Sequence, residues 1–440
     1  MRISSGMIFD AGVTAINRQA SDLLHLQQQL ATGRRILTPA DDPVASATAL
    51  EVTQAADITK QYAKAQDNAS AALSIAESQL HSATEIITQI RTLALYAGNG
   101  GLSNTDRQSI ATQMRAGFEQ MVGIANAKDA SGQYIFSGYM GNTTPFAGTV
   151  ETGVSYFGDD GQRFLQVSPS MQLAVSDSGN NLFNRVSNGN GVFVANYATT
   201  NSGTGVINAG SVIDATKWRD TDNSGNLEVR FWVDSAGTIG PANTTYYDLV
   251  DVAVNPPVSL FTGGPATEGG VTNTYTHKYE AGQAISFSGL AAPYDDFGIN
   301  VTITGAPASG DSFSVQTGSS QGVFETLRYL ILAVERPVTA GTNDMARLTN
   351  DLASAIGNID QASQNFLTVR SSIGSRMNTA DSLKSVNESV SLQYQQVLSN
   401  LQDIDYTKTI SDLTRTQTQL QAAQQSFVKV SQLSLFNYIS

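Results

Sequence analysis

The chain has 440 residues, 25 of them basic against 38 acidic, a formal net charge of −13 and no cysteine. Disulfides, thiolate metal sites and thiol catalysis are excluded, and the acidic balance argues against nucleic acid or an anionic membrane as partner. Charge is uneven: residues 1–140 carry a net −2, 141–322 a net −10 and 323–440 a net −1, with 25 of the 38 glycines and 8 of the 11 prolines in the middle stretch.

Met1 to Met7 lack the apolar core of a cleavable secretory signal, so the chain is expected to stay inside or to leave by a route that reads an uncleaved end. Residues 1–32 are amphipathic, with Ile16, Leu23 and Leu30 seven apart and Leu26 beside them, and Gly33 ends the segment. Thr38-Pro39-Ala40-Asp41-Asp42-Pro43 reads as a rigid turn, Pro43 suiting the first helical position and Asp41 or Asp42 the cap before it. A helix then runs to about Ala97, Gly98-Asn99-Gly100-Gly101 breaks it, and Ser103 with Asp106 opens a second helix. In the first of these, Val52, Leu73, Leu80 and Ile87 share one heptad position. Ala56, Ala63, Ala69, Ala76, Ala83 and Ile90 lie near the facing one, small layers that let two backbones approach.

Between Gln133 and Gly322 the apolar period changes to two, as in Leu227-Glu228-Val229-Arg230-Phe231-Trp232-Val233 and Ile299-Asn300-Val301-Thr302-Ile303, which predicts antiparallel β structure in one or two subdomains. Candidate chemistry in this stretch is weak. Gly318-Ser319-Ser320-Gln321-Gly322 matches a nucleophile elbow, but the last histidine, His277, precedes the serine, so a strand-to-helix loop is the expected role. Asp220-Thr221-Asp222-Asn223-Ser224-Gly225 begins like a calcium loop, yet Phe231 stands where the bidentate Glu is needed, and a hairpin turn is expected. His25, His81 and His277 have no ligand spacing, and no phosphate-cradling Gly-Lys-Ser/Thr loop occurs. No cofactor and no metal are expected.

Helix returns at Val323, pauses from Pro337 to Asn343, and enters a seven-residue repeat over 345–404; its longest apolar stretch, Leu327–Val334, is too short to span a bilayer. One seam reads Met345, Leu352, Ile359, Phe366, Ile373, Ala380, Asn387, Tyr394, Leu401 and the other Leu348, Ala355, Ala362, Val369, Arg376, Leu383, Val390, Val397, Ile404, broken only by Asn387 and Arg376. More than eight heptads without proline predict a helix of roughly 90 Å that cannot bury its seam alone. The complementary stripe is the one near the N-terminus. After a slip at Asp405-Tyr406, Leu413, Leu420 and Phe427 are again seven apart, and the tail Ser434-Leu435-Phe436-Asn437-Tyr438-Ile439 is too apolar to lack a partner.

The expected fold is α+β: a long antiparallel helical coiled-coil rod formed by both chain ends, with an antiparallel β-rich middle. Residues 1–44 with 405–440 are expected as terminal assembly helices, 45–140 with 323–404 as the rod, and 141–322 as the outer part. Chain ends held together around a bulge suit a subunit that stacks better than one that encloses a substrate, so no enzyme is expected. The predicted assembly or chaperone interface comprises Ile16, Leu23, Leu30, Asp41, Asp42, Pro43, Leu413, Leu420, Phe427, Leu435, Phe436 and Tyr438.

Gly33-Arg34-Arg35-Ile36-Leu37-Thr38-Pro39-Ala40-Asp41-Asp42-Pro43 resembles the N-terminal signature of bacterial flagellins and hook-associated proteins, and Asn99-Gly100 with Asp106-Arg107 is similar to the turn after their first long helix. Gly132-Gln133-Tyr134-Ile135-Phe136-Ser137-Gly138, Gly310-Asp311-Ser312-Phe313 and the Ser434–Tyr438 tail look like the hook-associated members that sit between hook and filament. The resemblance implies an extracellular structural adaptor of the flagellum, exported by the flagellar type III apparatus with a dedicated chaperone. Its partners would be its own copies in a ring, a neighbouring hook-associated protein and flagellin, with no nucleic acid and no membrane. A divergent filament flagellin is the alternative, and an acidic β hydrolase on a coiled-coil stalk the rival from another class.

Overall fold

Helix boundaries follow caps written in the sequence. The computed structural model describes residues 5–220, 223–266 and 277–439, with side chains at 6–7 and 9–431 within those limits. Helix α1 (Ser5–Thr32) stops at Gly33, whose φ of +68° is the left-handed conformation glycine adopts without strain. Helix α2 (Pro43–Ala97) opens on proline after Asp42, which accepts the Ala45 N–H at 3.0 Å. Helix α3 (Asn104–Ala125) starts in a reciprocal capping box between Ser103 and Asp106. The single turn α4 (Ala215–Trp218), then α5 (Val323–Glu335), α6 (Asp344–Gln402) and α7 (Tyr406–Ile439) follow. Pro337 keeps α5 and α6 apart, and Asp405 starts α7 by accepting the Lys408 N–H at 3.1 Å.

The chain divides into two compact units: Met1–Asp67 with Gln166–Met171 and Ala380–Ser440, and Asn68–Leu165 with Gln172–Thr379. In the second unit α2 and α6 run antiparallel, since Glu77 pairs with Arg370 and Arg91 with Asp360, each at 2.6 Å, the partner number falling as the other rises. Ion pairs this open to solvent contribute little stability. Leu73, Leu80, Ala83 and Ile87 of α2 and Ile359, Phe366 and Ile373 of α6 are sealed from water, each large side chain stabilising by roughly 1.5–3 kcal/mol. Helix α3 packs close to α2 at Gly117, where a Cβ would lie 3.0 Å from Ile90, and α5 meets α3 through Phe118 and Phe324, 5.8 Å between centroids.

The middle of the chain holds two cores. Phe136, Phe146 and Phe183 form an aromatic cluster with Phe324 of α5 and Phe366 of α6. Beyond it, a six-stranded antiparallel sheet runs in the order Val258–Ser259, Thr244–Asp251, Asn226–Asp234, Ser312–Thr317, Phe193–Tyr197, with His277–Lys278 also on Thr244–Asp251. A four-stranded sheet is built around Asp296–Thr304. Inward residues of both, among them Leu227, Val229, Phe231, Phe287, Val301, Ile303 and Phe313, make one continuous core. Asp234 is buried in a turn; burial opposes its charge, but N–H groups of Ile239, Thr238 and Gly240 hold its carboxyl well below the usual range. Burial pushes Asp248 up to about 7, although the Ser259 hydroxyl at 2.8 Å, the Leu249 N–H and the charge of Arg230 favour its carboxylate.

Three expectations meet the structure here. The elbow-like serine, Ser320, lies in a two-residue strand paired with Ser187, directly before α5. In the calcium-like loop, Asn223 Oδ1 accepts the Gly225 N–H and Ser224 donates to Asp251, so these oxygens are used within the turn; Thr221 and Asp222 lie outside the described residues. Arg376 breaks the heptad because it serves another contact, pairing with Asp177 at 2.5 Å and donating to the Ala174 carbonyl.

Candidate assembly surface

The terminal unit is organised around a joint where the turn after α1 meets the break between α6 and α7. Arg35 N–H donates to the Gln402 carbonyl at 2.7 Å, its guanidinium to Leu401 O at 2.9 Å, and Ile404 N–H to Gly33 O at 3.1 Å. The carbonyls left without partners at the end of α6 are thereby satisfied by the other end of the chain. Gly33 is needed for closeness as well as for φ, because a Cβ there would lie 2.9 Å from the Tyr406 hydroxyl.

The two aspartates of the turn divide the work. Asp42 is the helix cap and also lies 3.4 Å from Arg35. Asp41 instead accepts the N–H groups of Thr38 and Leu37 at 2.8 and 2.9 Å, which lowers its pKa, with His25 3.2 Å away. Pro43 is exposed on the first turn of α2.

Helices α1 and α7 pack along each other. Phe9 and Phe427 meet at 4.9 Å, and Gly12 makes room for the Phe427 ring, since a Cβ there would sit 2.8 Å from it. Ile16, Leu23 and Leu30 of α1 and Leu413, Leu420 and Phe427 of α7 are all half-buried, none sealed. Leu435, Phe436 and Tyr438 lie outside the residues whose side chains are described.

Sequence periodicity missed the apolar groups on the other faces. Met7, Leu24, Ile410, Val428 and Val430 are exposed on α1 and α7, as are Val44, Leu50 and Ile58 on α2 and Val386 and Leu392 on α6. The second half of the long heptad is thus open: Leu383, Val390 and Tyr394 are only half-covered and Val397 is exposed. A groove of about 330 Å³ between α2 and α6 is lined by Ala63, Asn387 and Leu392 among others, and the Asn387 amide nitrogen is buried there without a partner. The signal was present, as the outward leucines and valines, but a heptad reading assigns each helix only one seam. Among the described residues no three metal-ligating side chains converge, and no helix is long and apolar enough to cross a membrane.

Comparison with known proteins agrees with this geometry. The bacterial flagellin N-terminal helical region matches residues 3–141 and the bacterial flagellin C-terminal helical region residues 356–439, together about half of the chain. Flagellar hook-associated protein 3 of Salmonella typhimurium is 34% identical over 186 residues, 42% of this chain and 58% of that protein, so the match spans little more than half the relative's length. Among solved structures, hook-associated protein-3 of Legionella pneumophila is similar with a TM-score of 0.67 and 26% identity, covering 80% of this chain and 98% of that one. FlgL of Xanthomonas campestris gives 0.64 and 26%, covering 79% and 99%. These are structural proteins of the flagellum rather than enzymes. Flagellin regions at both ends account for about half of the sequence and lead to one conclusion: the chain belongs to the bacterial flagellin-like family, and along most of its fold it is similar to hook-associated protein 3.

Proposed function

We propose that this chain is the subunit that joins the flagellar hook to the flagellin filament. The observation that carries the reading is the open apolar surface of the terminal unit: two pairs of helices bear exposed leucine, valine and methionine over faces that a soluble monomer would cover. Residues 1–44 and 405–440 would be the assembly helices, 45–140 with 323–404 the rod, and 141–322 the outer part. Ile16, Leu23, Leu30, Leu413, Leu420 and Phe427 would hold the terminal pair together, with Leu435, Phe436 and Tyr438 engaged by neighbouring subunits or, before assembly, by an export chaperone. The Asp41-Asp42-Pro43 turn would set the angle between assembly helices and rod. Export by the flagellar type III apparatus without a cleaved signal, a ring of identical copies, and contacts to a second hook-associated protein and to flagellin complete the proposal.

Electron microscopy of a strain lacking the chain tests it. Hooks without filaments, restored by the wild-type gene, are expected; filaments of normal length on hooks would refute it. The 29% identity to the B-type flagellin of Pseudomonas aeruginosa over 134 residues keeps a filament flagellin as the second reading. A copy number of about one ring per flagellum, rather than a whole filament, separates the two.

A further inference from the structure

Phe193–Tyr197 is an edge strand, bonded to Ser312–Thr317 on one side. Antiparallel pairing uses every second residue of a strand for a given neighbour. Ala198 N–H donates to Ser312 O at 3.1 Å and Gly318 N–H to Val192 O at 3.0 Å. The bonded rungs between them are therefore Val194 and Asn196, and the backbone groups of Phe193, Ala195 and Tyr197 point the other way. Phe193 is closed off locally, since its N–H donates to Asn190 Oδ1 at 2.9 Å and its carbonyl accepts from Asn190 N–H at 3.2 Å. Among the described residues nothing does the same for Ala195 or Tyr197.

These two open rungs border a cavity of about 560 Å³, inside the second unit. Its far wall is α5, with Tyr329, Ala333 and Arg336, and its floor is α6, with Asp351 and Ala355. Proteins normally cover a sheet edge with a helix or blunt it with charge. Here the covering helices stand back, and small alanines leave room for a side chain. The Tyr197 hydroxyl donates to Asp351 at 3.0 Å and Arg336 pairs with the same carboxylate, so that end of the cleft is held in place. Tyr329 stays exposed on the rim.

We propose that this cleft accepts an extended basic peptide segment of a partner protein as an added antiparallel strand beside Phe193–Tyr197. Main-chain bonds to the Ala195 and Tyr197 rungs would supply direction, and alternate peptide side chains would face the alanine-lined floor and the Tyr329 rim. Charge selects the sign of the peptide. Arg336 and Asp351, the charged residues lining the cleft, cancel in one ion pair, so the sign is set by the surrounding stretch that supplies the edge, which carries a net −10. The inference does not rest on the flagellar reading.

The test titrates the full chain with a fluorescein-labelled, capped peptide of alternating valine and lysine, reading anisotropy and amide hydrogen exchange. Saturable binding is expected, with about tenfold slower exchange at Ala195 and Tyr197. The same peptide N-methylated at alternate residues keeps its charge, loses its ladder donors, and should bind about tenfold more weakly, as should wild-type peptide to Ala195→Pro. If the proline variant fails to fold, the N-methylated pair decides alone. Equal binding of the N-methylated peptide, equal binding of a valine–glutamate peptide, or unchanged exchange at both residues would overturn the proposal. So would a dimer of the chain that the peptide disperses, which would give the edge to a second copy.

Discussion

The helices α2 and α6 carry one apolar repeat through both units, yet the two stretches differ in what covers it. Over 68–97 and 345–379 the stripe is closed within the second unit, with α3 against Ile90 and Phe183 against Phe366, and Leu73, Leu80, Ile87, Phe366 and Ile373 see no water. Over 43–67 and 380–402 the buried positions are small or polar, Ala45, Ala49, Ala56, Thr59 and Gln66, while Val44, Leu50, Val386 and Leu392 lie open, Leu392 by 66%. A heptad states that a helix can bury a seam; which neighbour does so is decided elsewhere. The sealed stretch finds its neighbours within the unit, whereas the open one is short of them, as expected of a surface made for other molecules.

The sharpest way to break that contrast is to truncate one large apolar side chain in each stretch. Phe366→Ala should cost about 3–5 kcal/mol because it empties a sealed site, whereas Leu392→Ala should stay within about 0.5 kcal/mol. Urea unfolding of both variants checks this, and a comparable loss at Leu392 would mean that the terminal stretch is sealed by its own chain.

Acid should act in opposite directions at two carboxylates, Asp248 in the sandwich core and Asp41 at the terminal joint. Asp248, in the sandwich core, has a folded pKa of about 7, above its unfolded value, so the folded state holds an extra proton and its contribution falls as pH rises from about 4 to 7. Asp41, at the terminal joint, is lowered by the Thr38 and Leu37 amides, so its contribution is present above the ordinary carboxylate range and is lost as pH falls below it. Hydrogen exchange followed across this range should show the sandwich tightening in mild acid while the joint loosens only in stronger acid. Asp248→Asn should raise the melting temperature at pH 8 by a few degrees and flatten the profile. An unchanged profile would show that the carboxylate stays charged when folded.

The joint is the next smaller test. Asp42→Ala removes the cap of α2 and one Arg35 contact and should cost about 1 kcal/mol locally. Exchange should quicken at Ala45 and its neighbours but not in α3, whose capping box is separate. Faster exchange spread through the second unit would show that the turn supports more than its own helix.

Much of this was legible in the chain because helix ends are written locally. Gly33, Asp42-Pro43, Ser103 with Asp106, and Pro337 each stop or start a helix through their own backbone preferences or the side-chain atoms nearest the break. The β-rich character of the middle was legible from period-two runs such as 227–233, which alternate inside and outside as read. Strand order was not, because Phe193–Tyr197 pairs with residues more than a hundred positions away and nothing local encodes that partner. On α1 and α7, Ile16, Leu23, Leu30, Leu413, Leu420 and Phe427 keep the seven-residue spacing of the sequence and lie half-buried. The lacing of Arg35 onto Leu401 and Gln402 was not legible, since it uses main-chain carbonyls that every residue has. Asn387 and Arg376 looked alike as breaks in a seam, but only three-dimensional contacts distinguish an arginine committed to Asp177 from an asparagine left with a buried amide.

The smallest effect on the folded monomer should accompany a complete loss in assembly. Leu50→Asp and Leu392→Asp place charge on positions already in water, so each should leave the melting temperature within about a degree or two of wild type. In an assembled flagellum the same positions would be covered by neighbouring subunits, where an unpaired carboxylate is costly to bury. Each variant should therefore be exported and recovered from the medium, yet be missing from hook tips by immunogold labelling. Leu95→Asp, an exposed position on the same helix within the second unit, is the matched control and should incorporate normally. If Leu50→Asp and Leu392→Asp also incorporate, the open stretch of α2 and α6 faces solvent in the flagellum, and contacts between subunits must be confined to α1 and α7.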